Sequence, residues 1–206
     1  MGLDERERNN VKREKSVKKF VLIGMLSGIA YVLMFLSFPI PPLPAYLSVD
    51  FSDIPAIIAS FIFGPVAGIT VIAIKNLLNY LAQGSMTGIP IGQFANFTAG
   101  VLFVLPTYFV FNKVRSMKGL AVGLVAGTFS MAVFMSILNY FVFLPAYTIF
   151  MGWPAEPSSI VIQSIVYGVL PFNIIKGILV GVIFALLYKK LSHWLTKEMY
   201  VKPVSS

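Results

Sequence analysis

The chain has 206 residues, of which 57% are hydrophobic and only 12% are charged. Ordinary soluble domains have roughly 25% charged residues, about twice the share in this chain. With a mean hydropathy of +0.84, the chain is expected to have lipid as its solvent. The net charge is +8, but eight of the sixteen Lys and Arg lie in segments 12–19 and 113–118. A nucleic-acid-binding protein needs basic residues along one continuous water-exposed face, so nucleic acid is not expected as a partner. Cysteine is absent, which excludes a disulfide framework and thiolate metal sites.

Long apolar segments divided by turn residues predict an all-α membrane protein. A helix needs about 20 apolar residues to cross the hydrocarbon core, and these segments lack the alternation of β-strands. The predicted spans, in chain order, are 20–38, 53–63, 66–83, 90–111, 120–147 and 160–188. The second is short, at about 17 Å if helical. We therefore expect a polar tail over 1–17, a six-helix transmembrane substrate-binding domain over 18–192 and a C-terminal tail over 193–206.

The first span follows a basic segment, as a signal peptide would, but it is longer than a secretory apolar segment and no small-x-small cleavage site closes it. We expect it to be retained. Lys and Arg cluster next to the ends of the predicted spans, near residues 12–19, 113–118 and 189–197. The loops 39–52, 84–89 and 148–159 contain no Lys or Arg. The positive-inside rule then places both termini in the cytoplasm of a multi-pass plasma-membrane protein.

Polar side chains recur at one depth of the predicted bundle. Counting about 20 residues from each cytoplasmic helix end places them in the outer half of the membrane. They are Asn76, Asn79, Gln93, Asn96, Asn139, Asn173 and Lys176, with Lys75 slightly deeper. Buried polar residues usually face a bundle interior or a water-filled cavity, so we expect a pocket that opens outward. The alternative for each single amide is a helix–helix hydrogen bond.

For Lys176 we favour a role in ligand binding over a purely structural role. No carboxylate occurs in the last four predicted helices, and a buried cation requires an acceptor. A polar ligand could supply it. For Lys75 we favour a structural role, with Asp50 or Asp53 as its partner, although Asp53 could also cap the second helix.

Two further segments have alternative interpretations. The proline-rich loop 39–52, which carries Tyr46, is either a stiff connector or a lid over the pocket. Gly24 and Gly28 form a small-xxx-small pattern that suits close approach of another helix, either a partner subunit or a helix of this chain.

The sequence lacks the residues that several classes of function require. The sequence has no G-x-x-x-x-G-K-[ST] motif, so P-loop ATP hydrolysis is excluded. Its one histidine, His193, lies beyond the last span, which argues against Ser-His catalysis and an intramembrane His metal site. No series of carboxylates crosses the spans, as proton pumping would need. We predict no enzyme activity, no catalytic cofactor and no metal.

Five segments of the sequence resemble a known family. They are Val49–Ala59, Phe63–Gly68, Ile74–Leu78, Gly92–Phe97 and Pro171–Lys176. Together they resemble the substrate-capture (S) components of energy-coupling factor (ECF) vitamin transporters, of the riboflavin-binding type, over roughly residues 18–192.

The resemblance implies high-affinity riboflavin capture from outside, followed by pairing with a transmembrane coupling subunit and two cytoplasmic ATPases. It implies that Asn139, Asn173 and Lys176 donate hydrogen bonds to the flavin, with Ala45, Tyr46 and Leu47 closing over it. Asn79, Gln93 and Asn96 join these candidates because of their predicted depth. The docking motif of the family is alanine-based, and here Gly24 and Gly28 occupy it.

Other hypotheses remain open at this point. A stand-alone secondary transporter or facilitator would need polar residues through both membrane halves, but the inner half is nearly all apolar. An intramembrane enzyme lacks a credible acid, base or nucleophile cluster. An S component for thiamine or biotin would show similar spans, so the residues alone do not fix the vitamin.

Overall fold

Six helices and a two-stranded hairpin make up the part of the chain that the computed structural model describes, residues 5–44, 47–85, 88–152, 154 and 156–200. The helices are α1 (Glu5–Phe35), α2 (Asp53–Phe63), α3 (Pro65–Gln83), α4 (Ile91–Val114), α5 (Met117–Met151) and α6 (158–200). Within the described residues, α1, α3, α4, α5 and α6 contain apolar stretches long enough to cross a membrane, and α2 is the shorter apolar helix. The predicted six-helix membrane fold is confirmed, and the second helix is as short as predicted.

The ends of the outermost helices differ from the prediction. Helix α1 begins at Glu5 rather than at residue 20, so the basic segment 12–19 continues the same helix. Helix α6 likewise extends to Tyr200. Hydropathy marks the lipid-crossing part of a helix but not its polar extension, and the prediction therefore missed both extensions.

Helix α2 lies at the centre of the bundle, where it contacts α1, α3, α4 and α6. Nine of its eleven residues are buried, including Ala56, Ala59 and Ser60. A helix that is apolar all round has no face for water and is buried by its neighbours. Its short length places its first residue, Asp53, well inside the protein.

Small residues allow α4 and α5 to approach closely. A Cβ atom on Gly127 would lie 2.4 Å from the Phe103 carbonyl oxygen, and one on Gly123 would lie 2.8 Å from the Thr107 carbonyl oxygen. The Thr107 hydroxyl donates a 3.2 Å hydrogen bond to the Gly123 carbonyl across this contact. Close packing and interhelical hydrogen bonds of this kind drive helix association in lipid.

Helices α5 and α6 each contain a wider π-turn. These are Asn139–Phe143 in α5 and Ile165–Val169 in α6, and they contact each other. Each ends two residues before a proline, Pro145 or Pro171. A proline inside a helix has no N–H and clashes with the carbonyl four residues earlier, and a locally wider turn relieves that clash. Both helices therefore continue past their prolines.

The loop between α1 and α2 forms a small hairpin. Strands β1 (Phe38–Pro39) and β2 (Ser48–Val49) pair antiparallel, with Phe38 opposite Val49. Pro44 lies beside the π-turn of α6, since a Cβ atom on Gly168 would be 3.8 Å from the Pro44 Cδ atom. We call the end of the bundle that carries this hairpin and the connections 84–90 and 152–157 the Lys-free end, because these segments contain no Lys or Arg.

Candidate ligand-binding cavity

A cavity of about 180 Å³ lies at the Lys-free end, between the hairpin and helices α4, α5 and α6. Five side chains predicted to bind ligand line it: Leu47, Asn96, Asn139, Asn173 and Lys176. These residues lie far apart in sequence. The fold thus brings together amides and an ammonium from three helices, beneath a residue of the hairpin.

Two predicted site residues that the structure describes, Asn79 and Gln93, do not line the cavity. Two more, Ala45 and Tyr46, fall outside the described residues. Gln93 donates hydrogen bonds to the Asn79 side-chain oxygen (3.1 Å) and to the Gly84 carbonyl (3.0 Å). This contact ties α4 to the end of α3, away from the cavity.

Lys176 has acceptors within the protein, although the sequence had suggested that a polar ligand could supply one. Its Nζ atom lies 3.2 Å from Asp50 Oδ2 and 3.7 Å from Asp53 Oδ2. The prediction considered only carboxylates in the last four helices. Asp50 belongs to the loop before α2, and the central position of α2 places that loop end against α6.

Lys75 forms the second half of this buried charge cluster. Its Nζ atom lies 2.6 Å from Asp53 Oδ1 and 2.5 Å from the Ser52 hydroxyl oxygen. The predicted partnership with Asp53 is confirmed. The alternative that Asp53 caps α2 is wrong, because Asp53 is the first residue of the helix and its carboxylate faces Lys75.

The cluster of Asp50, Asp53, Lys75 and Lys176 contains two negative and two positive charges. All four side chains are at least 95% buried. Burial raises the pKa of Asp50, but attraction to Lys176 and Lys75 and hydrogen bonds from Ser52 outweigh it and hold that pKa below its ordinary value. Removing one partner of such a pair leaves an uncompensated buried charge. The ion pairs with Asp50 and Asp53 therefore hold the Lys176 ammonium in place where it lines the cavity.

Two of the side-chain amides at the cavity already donate a hydrogen bond to a backbone carbonyl of their own helix. Asn139 donates to the Met135 carbonyl and Asn173 to the Val169 carbonyl, each at 2.8 Å. An amide group has two N–H donors and an acceptor oxygen, so each can also bond to a ligand. Asn96 donates to Asp50 Oδ2 at 3.4 Å, and its Oδ1 atom has no hydrogen-bond partner among the described residues.

Apolar and aromatic side chains complete the wall. They are Ala95, Ala99, Met135, Phe143, Leu144, Tyr147, Val169 and Phe172, with Ser48 and Gly92 beside them. The prediction missed these residues, because an apolar side chain at a cavity looks the same in sequence as one facing lipid. Apolar walls with a few convergent polar groups are typical of small-molecule sites. The described residues contain no group of three or more His, Asp or Glu side chains that could hold a metal ion.

Gly24 and Gly28 lie on an open face of α1. A Cβ atom at either position would meet nothing within 4 Å, whereas Ile23, Ser27 and Ala30 of the same helix are buried. The small-residue pattern is therefore not used for packing inside the described part of this chain.

Comparisons with known proteins agree with this architecture. The family described as ECF transporter, substrate-specific component, matches residues 18–188. The riboflavin transporter FmnP of Bacillus subtilis (strain 168) is 57% identical over 182 residues, which cover 88% of this chain and 96% of that protein. The riboflavin transporter RibU of Staphylococcus aureus (strain TCH60) is 48% identical over 180 residues, covering 87% and 93% of the two chains.

A solved structure of the S component of a bacterial ECF transporter has the same fold. It superimposes with a TM-score of 0.74 at 48% sequence identity, covering 87% of this chain and 98% of that one. The resemblance inferred from the sequence is therefore confirmed: this chain is a multi-pass membrane protein and belongs to the substrate-specific components of ECF transporters.

Proposed function

We propose that the chain captures riboflavin in the cavity at the Lys-free end and presents it to an ECF module for import. The observation that carries the proposal is the set of groups around the cavity, Lys176 with Asn96, Asn139 and Asn173, opposite aromatic and aliphatic walls. A flavin has flat apolar faces and an edge of carbonyl and ring-nitrogen groups, which this combination complements. Relatives named riboflavin transporters support the choice of vitamin.

The distribution of Lys and Arg indicates the side of the membrane from which ligand enters. The basic segments near residues 12–19, 113–118 and 189–197 lie at the opposite end of the bundle from the cavity. Because cytoplasmic loops carry the excess of Lys and Arg, we place the cavity at the outer face and both termini inside. Capture then takes place from outside the cell.

Import needs partners, since the sequence has no phosphate-binding loop. We assign energy supply to two cytoplasmic ATPases, which act through a transmembrane coupling subunit. The open Gly24–Gly28 face of α1 is the proposed contact with the coupling subunit, because a small-residue face permits close helix approach in lipid. We assign no catalytic activity to the chain itself.

Reconstitution tests the proposal directly. Vesicles that contain this chain alone should bind riboflavin on one face without accumulating it. Vesicles that also contain the coupling subunit and ATPases should accumulate riboflavin only when ATP is supplied on the cytoplasmic side. Accumulation by the chain alone would instead support a stand-alone transporter.

A further inference from the structure

A cleft of about 560 Å³ separates α5 from α6 at the Lys-free end. The two helices touch at their π-turns, Asn139–Phe143 and Ile165–Val169. Beyond these turns, the segments Leu144–Met151 and Ser158–Ser164 supply most of the lining of the cleft. We call this space the α5–α6 cleft. It is a neighbour of the binding cavity, since Leu144 lines both.

The lengths of the two spans place the cleft at the level of the lipid headgroups. The apolar spans in α5 and α6 have 35 and 34 residues, which corresponds to about 50 Å of helix. A bilayer is about 40–45 Å thick with its headgroup layers included. Because basic residues mark the opposite ends of both spans, near Lys118 and Lys189, their Lys-free ends reach the headgroup layer of the other leaflet.

The lining of the cleft is amphipathic. Ile149, Ile160 and Val161 supply apolar surface, and Ile149 and Ile160 are 73% and 45% exposed. The hydroxyl of Ser158 and the carboxylate of Glu156 belong to the exposed part of the lining, at the connection between the helices. A space with apolar walls and a charged rim, at the boundary of the membrane, suits a lipid better than a water-soluble molecule.

The charge of Glu156 selects the kind of lipid. Glu156 is the only acidic residue in segment 54–197, and segment 119–175 contains no Lys or Arg. The lysines of the buried charge cluster pair with the carboxylates of that cluster. The protein therefore provides no cation for Glu156 at this end. An ammonium headgroup is attracted to this carboxylate, whereas an anionic headgroup is repelled.

We propose that the α5–α6 cleft binds a phospholipid whose headgroup carries an ammonium group, such as phosphatidylethanolamine. The ammonium lies beside Glu156, and the glycerol and first acyl methylenes lie against Ile149 and Ile160. The Ser158 hydroxyl can donate a hydrogen bond to a phosphate oxygen of the same headgroup. The lipid covers apolar surface that the protein leaves open beside the binding cavity. This site does not depend on which vitamin the cavity binds.

Lipid competition tests the proposal on the full chain. The protein is placed in nanodiscs of phosphatidylethanolamine, phosphatidylcholine and phosphatidylglycerol in equal amounts with identical acyl chains, and the lipids retained after gentle release are counted by native mass spectrometry. We expect phosphatidylethanolamine to be retained in preference to the other two. Glu156→Gln should lower its ratio to phosphatidylcholine about three- to fivefold, the range of an exposed ion pair of up to about 1 kcal/mol.

A second variant separates the site from net charge. Gln163 is exposed on α6 but does not line the cleft, so Glu156→Gln with Gln163→Glu keeps the net charge and moves the carboxylate away. This double variant should not regain the preference. Ile160→Ser should lower retention of phosphatidylethanolamine but leave the headgroup ratio unchanged, since it removes only apolar contact. Thermal unfolding in the same detergent shows that each variant is folded.

Three results would overturn the proposal. One is equal retention of the three headgroups by the unmodified protein. Another is a preference that survives Glu156→Gln or returns in the double variant, because the carboxylate at position 156 would then be merely solvated. The third is displacement of the retained lipid by soluble phosphoethanolamine at equal concentration, since the cleft would then bind the headgroup without the acyl chains.

Discussion

The ammonium of Lys176 lies 3.2 Å from a carboxylate oxygen of Asp50, although 126 positions separate the two residues in the chain. Lys176 is therefore charge-compensated before any ligand binds, yet it lines the cavity. An ammonium has three donors, so one can point to Asp50 while another meets a ligand carbonyl. Asp50 thus orients the ammonium and keeps its charge.

The first prediction compares the two buried lysines. We expect Lys176→Ala to weaken riboflavin binding at least tenfold, a loss of about 1.4 kcal/mol or more, because the variant removes a charged donor from the cavity. Lys75→Ala should leave affinity within about threefold, since Lys75 contacts Asp53 and Ser52 and is not among the lining residues. Fluorescence-quenching titration measures both.

Stability provides the control for this pair. Each variant leaves a buried carboxylate without its partner, which typically costs about 3–5 kcal/mol. Both should therefore unfold at lower temperature in a thermal-shift assay. Equal loss of affinity in the two variants would show that the effect of Lys176 is only structural and would contradict its contact with ligand.

The second prediction separates amides at the cavity from amides elsewhere. Asn173→Ala should weaken riboflavin binding about five- to tenfold, since one neutral hydrogen bond contributes about 1 kcal/mol. Asn79→Ala should have no such effect, because Asn79 accepts from Gln93 away from the cavity. The same titration applies. A larger effect at Asn79 than at Asn173 would mean that the binding site lies between α3 and α4.

The third prediction concerns the open face of α1. Gly28→Leu should leave riboflavin affinity unchanged but reduce co-purification with the coupling subunit, because a larger side chain keeps a partner helix away. Val125→Leu is the matched control, since Val125 is 69% exposed on a different helix. If Gly28→Leu still assembles normally while both variants bind riboflavin, the docking face lies elsewhere.

The fourth prediction contrasts two glycines. Gly127→Ala should destabilise the protein by about 1–3 kcal/mol or more, as overpacking does, because its Cβ atom would lie 2.4 Å from the Phe103 carbonyl oxygen. Gly24→Ala should not destabilise it, since no atom lies within 4 Å of that Cβ position. Thermal unfolding in detergent compares them. Equal stability of the two variants would contradict the close α4–α5 contact.

Much of this architecture could be predicted from the sequence, because a segment that crosses lipid must be apolar, helical and about 20 residues long. Apolar length and turn residues predicted the spans, and the bounds of α2 agree with the prediction at both ends. Polar residues in those spans, such as Asn139, Asn173 and Lys176, predicted the cavity because burying them in lipid is costly.

Pairing and shape were harder to predict. The contact between Asp50 and Lys176 depends on where α2 lies in the bundle, which no local pattern specifies. Asn79 and Gln93 were predicted as site residues only from their estimated depth in the membrane. Depth does not determine which face of a helix points towards a cavity. Pro145 and Pro171 were the available signals for the π-turns, but a proline alone does not distinguish a widened turn from a kink or a helix end.

The measurement that tests the central claim most directly is an equilibrium titration of the purified chain with riboflavin, in competition with thiamine and biotin. We expect saturable one-to-one quenching of flavin fluorescence that neither competitor reverses and that Lys176→Ala weakens at least tenfold. Absence of saturable quenching by folded protein, or displacement of riboflavin by thiamine or biotin, would contradict the assignment of this cavity to riboflavin.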